Sequence, residues 1–133
     1  MRIAIDTNVF VSIVVFGSKP LGKMLVKICE NHTLVMSSYV IDELSRVIQT
    51  KFPGKRAMMD NILFNISYES EYTPHKLPKH DFFKIRDAKD EKVLYSAITA
   101  DVDVLITGDK DFQDLELARP EILTPAEYIE RYI

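Results

Sequence analysis

Val104-Leu105-Ile106-Thr107-Gly108-Asp109 is the stretch that indicates the fold of this chain most clearly. An apolar, β-branched run that stops at a threonine, a glycine and an acid is typical of a buried strand followed by a turn. Gly108 is expected to permit a close backbone approach in this turn. The N-terminal run Ile3-Ala4-Ile5 stops in the same way, at Asp6. Side chains at the carboxyl ends of parallel strands share one crevice beside the sheet. We therefore expect Asp6 and Asp109 to lie close together.

The rest of the chain alternates between helical and strand patterns. We predict further strands at residues 33–36, 68–72 and 121–123. Helices are predicted at 20–28, 38–48, 56–66, 90–98 and 125–132, with a short helix or turn at 9–16. Ser37-Ser38 offers an N-cap for the helix at 38–48. The polar, proline-containing residues 73–89 are predicted to form a connecting loop. This alternation predicts one α/β domain, residues 1–133, with a mostly parallel sheet covered by helices on both faces.

The composition indicates a soluble globular protein, since 47% of the 133 residues are hydrophobic and 28% are charged. The single cysteine, Cys29, excludes an intramolecular disulfide, is expected to be semi-buried, and fits a reducing cytoplasmic compartment. No apolar run approaches the roughly 18 residues that a membrane span requires, so no membrane association is expected.

The net charge of −3, with 17 basic and 20 acidic residues, argues against a tight electrostatic binder of nucleic acids. It does not exclude a nuclease, because an acidic pocket can coexist with basic surroundings. Two basic clusters are present: Lys51, Lys55 and Arg56, then Lys76, Lys79, Lys84 and Arg86. Each also has the simpler interpretation of a solvated charged face.

Two other acidic positions can join Asp6 and Asp109. Glu43 lies near the start of the helix after the second strand, where the helix dipole favours acids in any case. The run Arg86-Asp87-Ala88-Lys89-Asp90-Glu91 supplies three acids at a helix start, and Asp90 is taken to open that helix, although spacing does not fix which acid faces the site. Clustered carboxylates cannot all stay ionised without a cation, and oxygen ligands suit Mg²⁺ or Mn²⁺.

Other chemistries lack their sequence signatures. The four glycines do not form a phosphate-binding loop, no serine lies in a nucleophile elbow, and one cysteine cannot make a structural zinc site. His32, His75 and His80 lie in polar segments without metal-ligand spacing, and we expect them to be surface loop residues.

Taken together, four segments resemble the PIN domain family, and within it the VapC ribonucleases and related PIN-type toxins of toxin–antitoxin systems. They are Asp-Thr-Asn after the first strand, Glu43 on the helix after the second, the acid-initiated helix, and Val-Leu-Ile-Thr-Gly-Asp-Lys-Asp-Phe at 104–112. The resemblance extends from Arg2 to about Ile129. It implies a three-layer α/β/α fold with a central parallel sheet of four or five strands.

The resemblance also implies which residues act. Asp6, Glu43, Asp90 and Asp109 would be the catalytic, metal-binding acids, with Glu91 a competitor for the place of Asp90. The supporting residues would be Thr7, Asn8 and Thr107, and Asp111 would position the loop or a second metal ion.

The implied activity is Mg²⁺- or Mn²⁺-dependent hydrolysis of RNA phosphodiester bonds by the toxin of a type II toxin–antitoxin pair. A cognate antitoxin and a homodimer are the implied protein partners, and the apolar helices at 21–28 and 58–66 would supply either a dimer interface or core. RNA would lie along residues 51–56 or 76–86.

Two alternatives stay open at this point. A catalytically inactive PIN-fold module that binds RNA or protein is disfavoured by the complete set of acids. The other is a metal-dependent phosphatase or a phospho-acceptor domain on a similar α/β fold. A phosphatase would normally carry a second acid two residues after Asp6, where this chain has Asn8.

Overall fold

The computed structural model describes residues 1–112 and 114–133. In these residues five strands form one sheet, in which every neighbouring pair is parallel. The strands are β1 (Arg2–Ile5), β2 (Thr33–Ser37), β3 (Glu69–Glu71), β4 (Val104–Ile106) and β5 (Glu121–Leu123), in the spatial order β3-β2-β1-β4-β5. The predicted parallel sheet is therefore confirmed, with the short polar β3 at an edge.

Helices connect and cover these strands: α1 (Thr7–Val14), α2 (Lys19–Asn31), α3 (Ser38–Lys51), α4 (Arg56–Asn65), α5 (Ala88–Thr99) and α6 (Pro125–Tyr132). Ser37 caps α3 as its sequence predicts, since its hydroxyl accepts a hydrogen bond from the Val40 amide. Thr124 and Glu127 form a reciprocal capping box at the start of α6.

The first turn of α5 differs from the sequence prediction that Asp90 opens this helix. The helix begins two residues earlier, at Ala88, and Asp87 is its N-cap. The Asp87 Oδ1 atom accepts hydrogen bonds from the amides of Lys89, at 2.7 Å, and Asp90, at 3.4 Å. Because Asp87 satisfies these amides, the Asp90 side chain is not needed as a cap.

The core lies on both faces of the sheet, as the alternation of side chains along a strand requires. Ile3 and Ile5 of β1 belong to the larger cluster, with residues of α1, α2 and α3. Val35 of β2 instead packs with Ala97 and Ala100 in a smaller cluster on α5. Helices thus cover the sheet from both sides, and the fold is the expected three-layer α/β/α arrangement.

The strand order sets the position of the site. The chain runs from β1 outward to β2 and β3, then returns to place β4 and β5 on the other side of β1. Ligands in open α/β sheets bind beside the carboxyl ends of strands where the order reverses. Here that point lies between β1 and β4, which pair with Ile5 opposite Ile106, and the Asp6 amide donates to the Ile106 carbonyl.

His80 corrects the expectation that all three histidines are surface loop residues. Only 9% of its side chain is exposed. Its ring lies 4.8 Å from that of Phe83, 5.3 Å from Tyr95 and 5.4 Å from Phe82, measured between centroids. His75 is exposed and His32 is half-buried. The polar composition of the loop did not reveal that its aromatic residues fold back onto α5.

The helices considered as a dimer interface contribute mainly to the core. Met24, Leu25 and Ile28 of α2 are buried, as is Met59 of α4. The large apolar side chains of these helices that stay exposed are Val26, Met58 and Phe64. Cys29 is half-buried, as predicted.

Within the described residues, no single helix has the length and hydrophobicity to cross a membrane. Helices α1 and α2, with a bend of 117° between them, satisfy those criteria only when they are counted together.

The orientation of α2 can be tested with two substitutions on the same helix. Met24 is fully buried and Val26 is 53% exposed. We expect Met24→Ala to lower the free energy of unfolding by about 2–5 kcal/mol, because it leaves a cavity. The matched control Val26→Ala should change it by less than about 0.5 kcal/mol. Urea denaturation measures both, and equal losses would contradict this packing.

Candidate metal centre

Asp6 is held by hydrogen bonds to both of its carboxylate oxygens. Oδ1 accepts a hydrogen bond of 2.7 Å from the Thr7 amide, so Asp6 caps α1. Oδ2 accepts a hydrogen bond of 2.8 Å from the Thr107 hydroxyl. The residue is 6% exposed. Burial raises the pKa of Asp6 above its ordinary value, the two hydrogen bonds oppose this rise, and the nearby charges of Glu43 and Asp109 add to it. Asp6 is therefore a fixed, desolvated carboxylate.

Thr107 connects Asp6 to the loop after β4. While its hydroxyl donates to Asp6, the same oxygen accepts from the Asp109 amide at 3.0 Å. The Asp109 Oδ1 atom in turn accepts from the Asp111 amide at 2.9 Å. The buried ring of Phe112 anchors the 3₁₀ turn that follows. The loop thus presents Asp109 and Asp111 on the side of Asp6.

Gly108 is not the reason for this turn, although its sequence suggested a close backbone approach. Its φ is not positive, and a Cβ atom added there would meet no atom within 4 Å. The side-chain hydrogen bonds of Thr107 and Asp109 form the turn instead.

Asp90 is buried opposite these acids, with 8% of its surface exposed. Its Oδ2 atom has no hydrogen-bond partner among the described residues. One carboxylate oxygen each of Asp90, Asp109 and Asp111 lie within 4.8 Å of one another. Burial, and then the charges of Asp109 and other nearby acids, raise the pKa of Asp90 to about 7. A carboxylate in this position is unfavourable unless it is protonated or neutralised by a cation.

Glu43 approaches the same region from α3. It is half-buried, and its charge raises the pKa of Asp6. Its Oε2 atom accepts a hydrogen bond of 2.9 Å from the hydroxyl of Tyr39, one helical turn earlier. Burial, followed by this hydrogen bond, raises the pKa of Tyr39, so the phenol stays protonated as a donor. Sequence reasoning missed Tyr39, although the spacing of four residues was a usable signal.

Glu91 lies on a different side of α5 from Asp90. Its Oε2 atom is 3.7 Å from Nε2 of His80, away from the three clustered oxygens. The structure therefore brings Asp90 rather than Glu91 to the other acids. Asn8 is exposed, and its backbone carbonyl accepts from the Ser12 hydroxyl. Thr7 is buried, and its hydroxyl has no partner among the described residues.

The donor set fits a hard divalent cation. It consists of carboxylate oxygens of Asp90, Asp109 and Asp111, and it includes a buried oxygen without a hydrogen-bond donor. Burial, and then the neighbouring carboxylates, raise the pKa of Asp90 in this set. Mg²⁺ and Mn²⁺ prefer such oxygen ligands.

Comparisons with known proteins agree with this geometry. The sequence profile of the PIN domain matches residues 2–111, and curated proteins give no significant match. Among solved structures, a chain from VapBC2 of Rickettsia felis, bound to a DNA fragment from their promoter, aligns with a TM-score of 0.68. The two chains are 19% identical over 92% of this chain and 97% of the other, which shows a shared fold. Since the profile spans β1 to the loop after β4, this chain belongs to the PIN domain family.

Proposed function

We propose that this chain is a metal-dependent endoribonuclease that hydrolyses RNA phosphodiester bonds and serves as the toxin of a type II toxin–antitoxin pair. PIN domains are generally nucleases. The observation that supports catalysis in this member is Asp90, a buried carboxylate without a hydrogen-bond donor that lies beside Asp109 and Asp111. A binding module without catalysis has no need to retain so unfavourable a cluster.

In this proposal Asp6, Glu43, Asp90 and Asp109 hold Mg²⁺ or Mn²⁺, and Asp111 is a further ligand or positions the loop. A divalent cation bound there supplies positive charge for the scissile phosphate and lowers the pKa of water for attack. The chain itself supplies orientation: Thr7 and Thr107 fix both oxygens of Asp6, and Tyr39 fixes one oxygen of Glu43. Asn8 stays a predicted supporting residue.

The basic residues between Lys76 and Arg86 support an approach of RNA from that side. These basic side chains are exposed, and their segment leads directly into α5, which carries Asp90. Within residues 1–112 and 114–133, none of Lys76, Lys79, Lys84 and Arg86 forms an ion pair. In the other basic cluster Arg56 already pairs with Asp60 at 3.5 Å. Unpaired cations are the ones available to phosphates.

We also propose a cognate antitoxin as protein partner, on the basis of the structural likeness to a chain of a VapBC complex. The accompanying proposals are a cytoplasmic location and a single nuclease domain formed by residues 1–133.

A homodimer is proposed from the exposed apolar residues of α2 and α4, of which Phe64 is 87% exposed. Light scattering after size exclusion should show a dimer that Phe64→Ser weakens, because burying this ring would favour association. A monomer at all concentrations would contradict the dimer.

Metal-dependent cleavage is tested by incubating a mixed RNA pool with Mg²⁺, Mn²⁺ or EDTA. We expect cleavage with the metals and none with EDTA. Asp6→Asn and Glu43→Gln should each lower the rate about 100-fold or more, because each removes a ligand charge. Asp42→Asn, an exposed neighbour of Glu43 on α3, is the matched control and should cleave normally.

Two results would count against the proposal. Equal cleavage by Asp6→Asn and the wild type would reject the assigned site. The absence of cleavage with either metal would favour a PIN-fold binding module.

The electrostatics of Asp90 predict the pH dependence of metal-free stability. Its pKa in the folded protein is about 7, above the ordinary 3.8. The stabilisation from its protonated form is thus complete below about pH 4 and is lost as the pH rises through about 7. In EDTA at pH 8, Asp90→Asn should therefore raise Tm by roughly 3 °C or more.

Asp90→Asn, compared with Glu91→Gln, shows which of the two residues binds the metal ion. Titration calorimetry should show that Asp90→Asn weakens Mn²⁺ binding about tenfold or more, whereas Glu91→Gln leaves it unchanged. The reverse order would assign the site to Glu91.

A further inference from the structure

An open cavity adjoins the first turn of α5, the same turn that carries Asp90. Its volume is about 480 Å³, and its lining includes Pro78, Lys79, His80, Phe83, Lys84 and Glu91. Glu91 directly follows Asp90 in the first turn of α5. The cavity and the candidate metal centre therefore border the same helix turn, at consecutive residues.

The aromatic part of this cavity is held in place by packing. The His80 ring, 91% buried, contacts the rings of Phe83, Tyr95 and Phe82. Phe83 also packs against the main core. The Phe83 ring, which is partly exposed and is fixed in this way, presents a flat apolar surface that loses little further conformational entropy when a flat ligand stacks on it.

The polar part of the cavity combines two cations with one acceptor. Lys79 and Lys84 are exposed and make no ion pair with any residue that the structure describes. Glu91 supplies carboxylate oxygens near Nε2 of His80. The flat apolar ring matches the π-face of a nucleotide base, and the free ammonium groups match the flanking phosphates. The carboxylate matches the N–H edge of the base.

We propose that this cavity binds an unpaired base of the RNA substrate, close to the bond that is cut. The proposal rests on the proposed ribonuclease function and adds to it a specific subsite. The base stacks on Phe83, its N–H edge donates to Glu91, and Lys79 and Lys84 contact the neighbouring phosphates. A protein segment is the less favoured occupant, because an apolar peptide has no anionic group to pair with the two lysines of the cavity.

The test measures RNA affinity in the Asp6→Asn protein with Mn²⁺, by fluorescence anisotropy of a labelled single-stranded oligonucleotide. Phe83→Leu keeps an apolar side chain but removes the ring. It should raise Kd about fivefold or more, since stacking of one base is worth at least about that factor. Phe82→Leu is the matched control: Phe82 also stacks on His80, yet it does not line the cavity. Its Kd should stay within about twofold of the parent.

A charge variant tests the same cavity independently, in case Phe83→Leu fails to fold. Lys79→Gln with Lys84→Gln should raise Kd and reduce its salt dependence, because phosphate contacts release counterions. Lys76→Gln, outside the cavity lining, should have a smaller effect. Thermal melting checks that each variant is folded.

An abasic nucleotide identifies the bound group. Moving one abasic site along the oligonucleotide should reveal a position where the parent loses affinity and Phe83→Leu loses nothing further. If abasic RNA binds as well as intact RNA at every position, the cavity does not take a base and the proposal is wrong. Unchanged RNA affinity in both the ring and the charge variants would overturn it as well, and would leave a peptide as the occupant.

Cleavage in the wild-type background separates this proposal from the ribonuclease function. With Mn²⁺, Phe83→Leu should raise KM and largely preserve kcat, while Asp6→Asn abolishes turnover. Wild-type cleavage with an unchanged KM in Phe83→Leu would reject the base subsite and leave the nuclease intact. Failure of the wild type to cleave any RNA would reject both.

Discussion

The hydrogen bond from the Thr107 hydroxyl to Asp6 fixes the position of the acids at the centre of the candidate site. It joins the residue after β1 to the residue after β4, 101 positions apart in sequence. The parallel pairing of Ile5 with Ile106 makes this bond possible, because it brings the two strand ends to the same height at the switch point of the sheet. Since the same oxygen accepts from the Asp109 amide, one hydroxyl sets the positions of two carboxylates.

The arrangement of acids opposes stability and favours cation binding. Asp6 and Asp90 both have raised pKa values, because burial and neighbouring carboxylates disfavour their charged forms. Asp87 contributes in two ways: its charge adds to the raised pKa of Asp90, and as the helix cap it satisfies amides of α5, which leaves Asp90 without that role. A group that is costly in the metal-free protein becomes useful when a cation is present, which is a common property of functional sites.

Much of the fold was predictable from local patterns, and the failures have specific physical causes. Apolar runs located β1, β2 and β4, and Ser37 was recognisable as a cap. His80 was misplaced because its burial depends on rings from the loop and from α5 that meet only in the folded protein. The turn at Gly108 was predicted for the wrong reason, since side-chain hydrogen bonds of Thr107 are not visible in the sequence.

The sequence by itself determined the order of helices and strands, the carboxylates available at the strand and helix ends, and the family resemblance. These depend on local periodicity and residue type, which need no knowledge of distant contacts. Only the tertiary structure decided that Asp90 rather than Glu91 faces Asp109, and that Tyr39 supports Glu43. Adjacent helix residues point about 100° apart, so their roles depend on how α5 packs on the sheet, and that packing is set by residues from the whole chain.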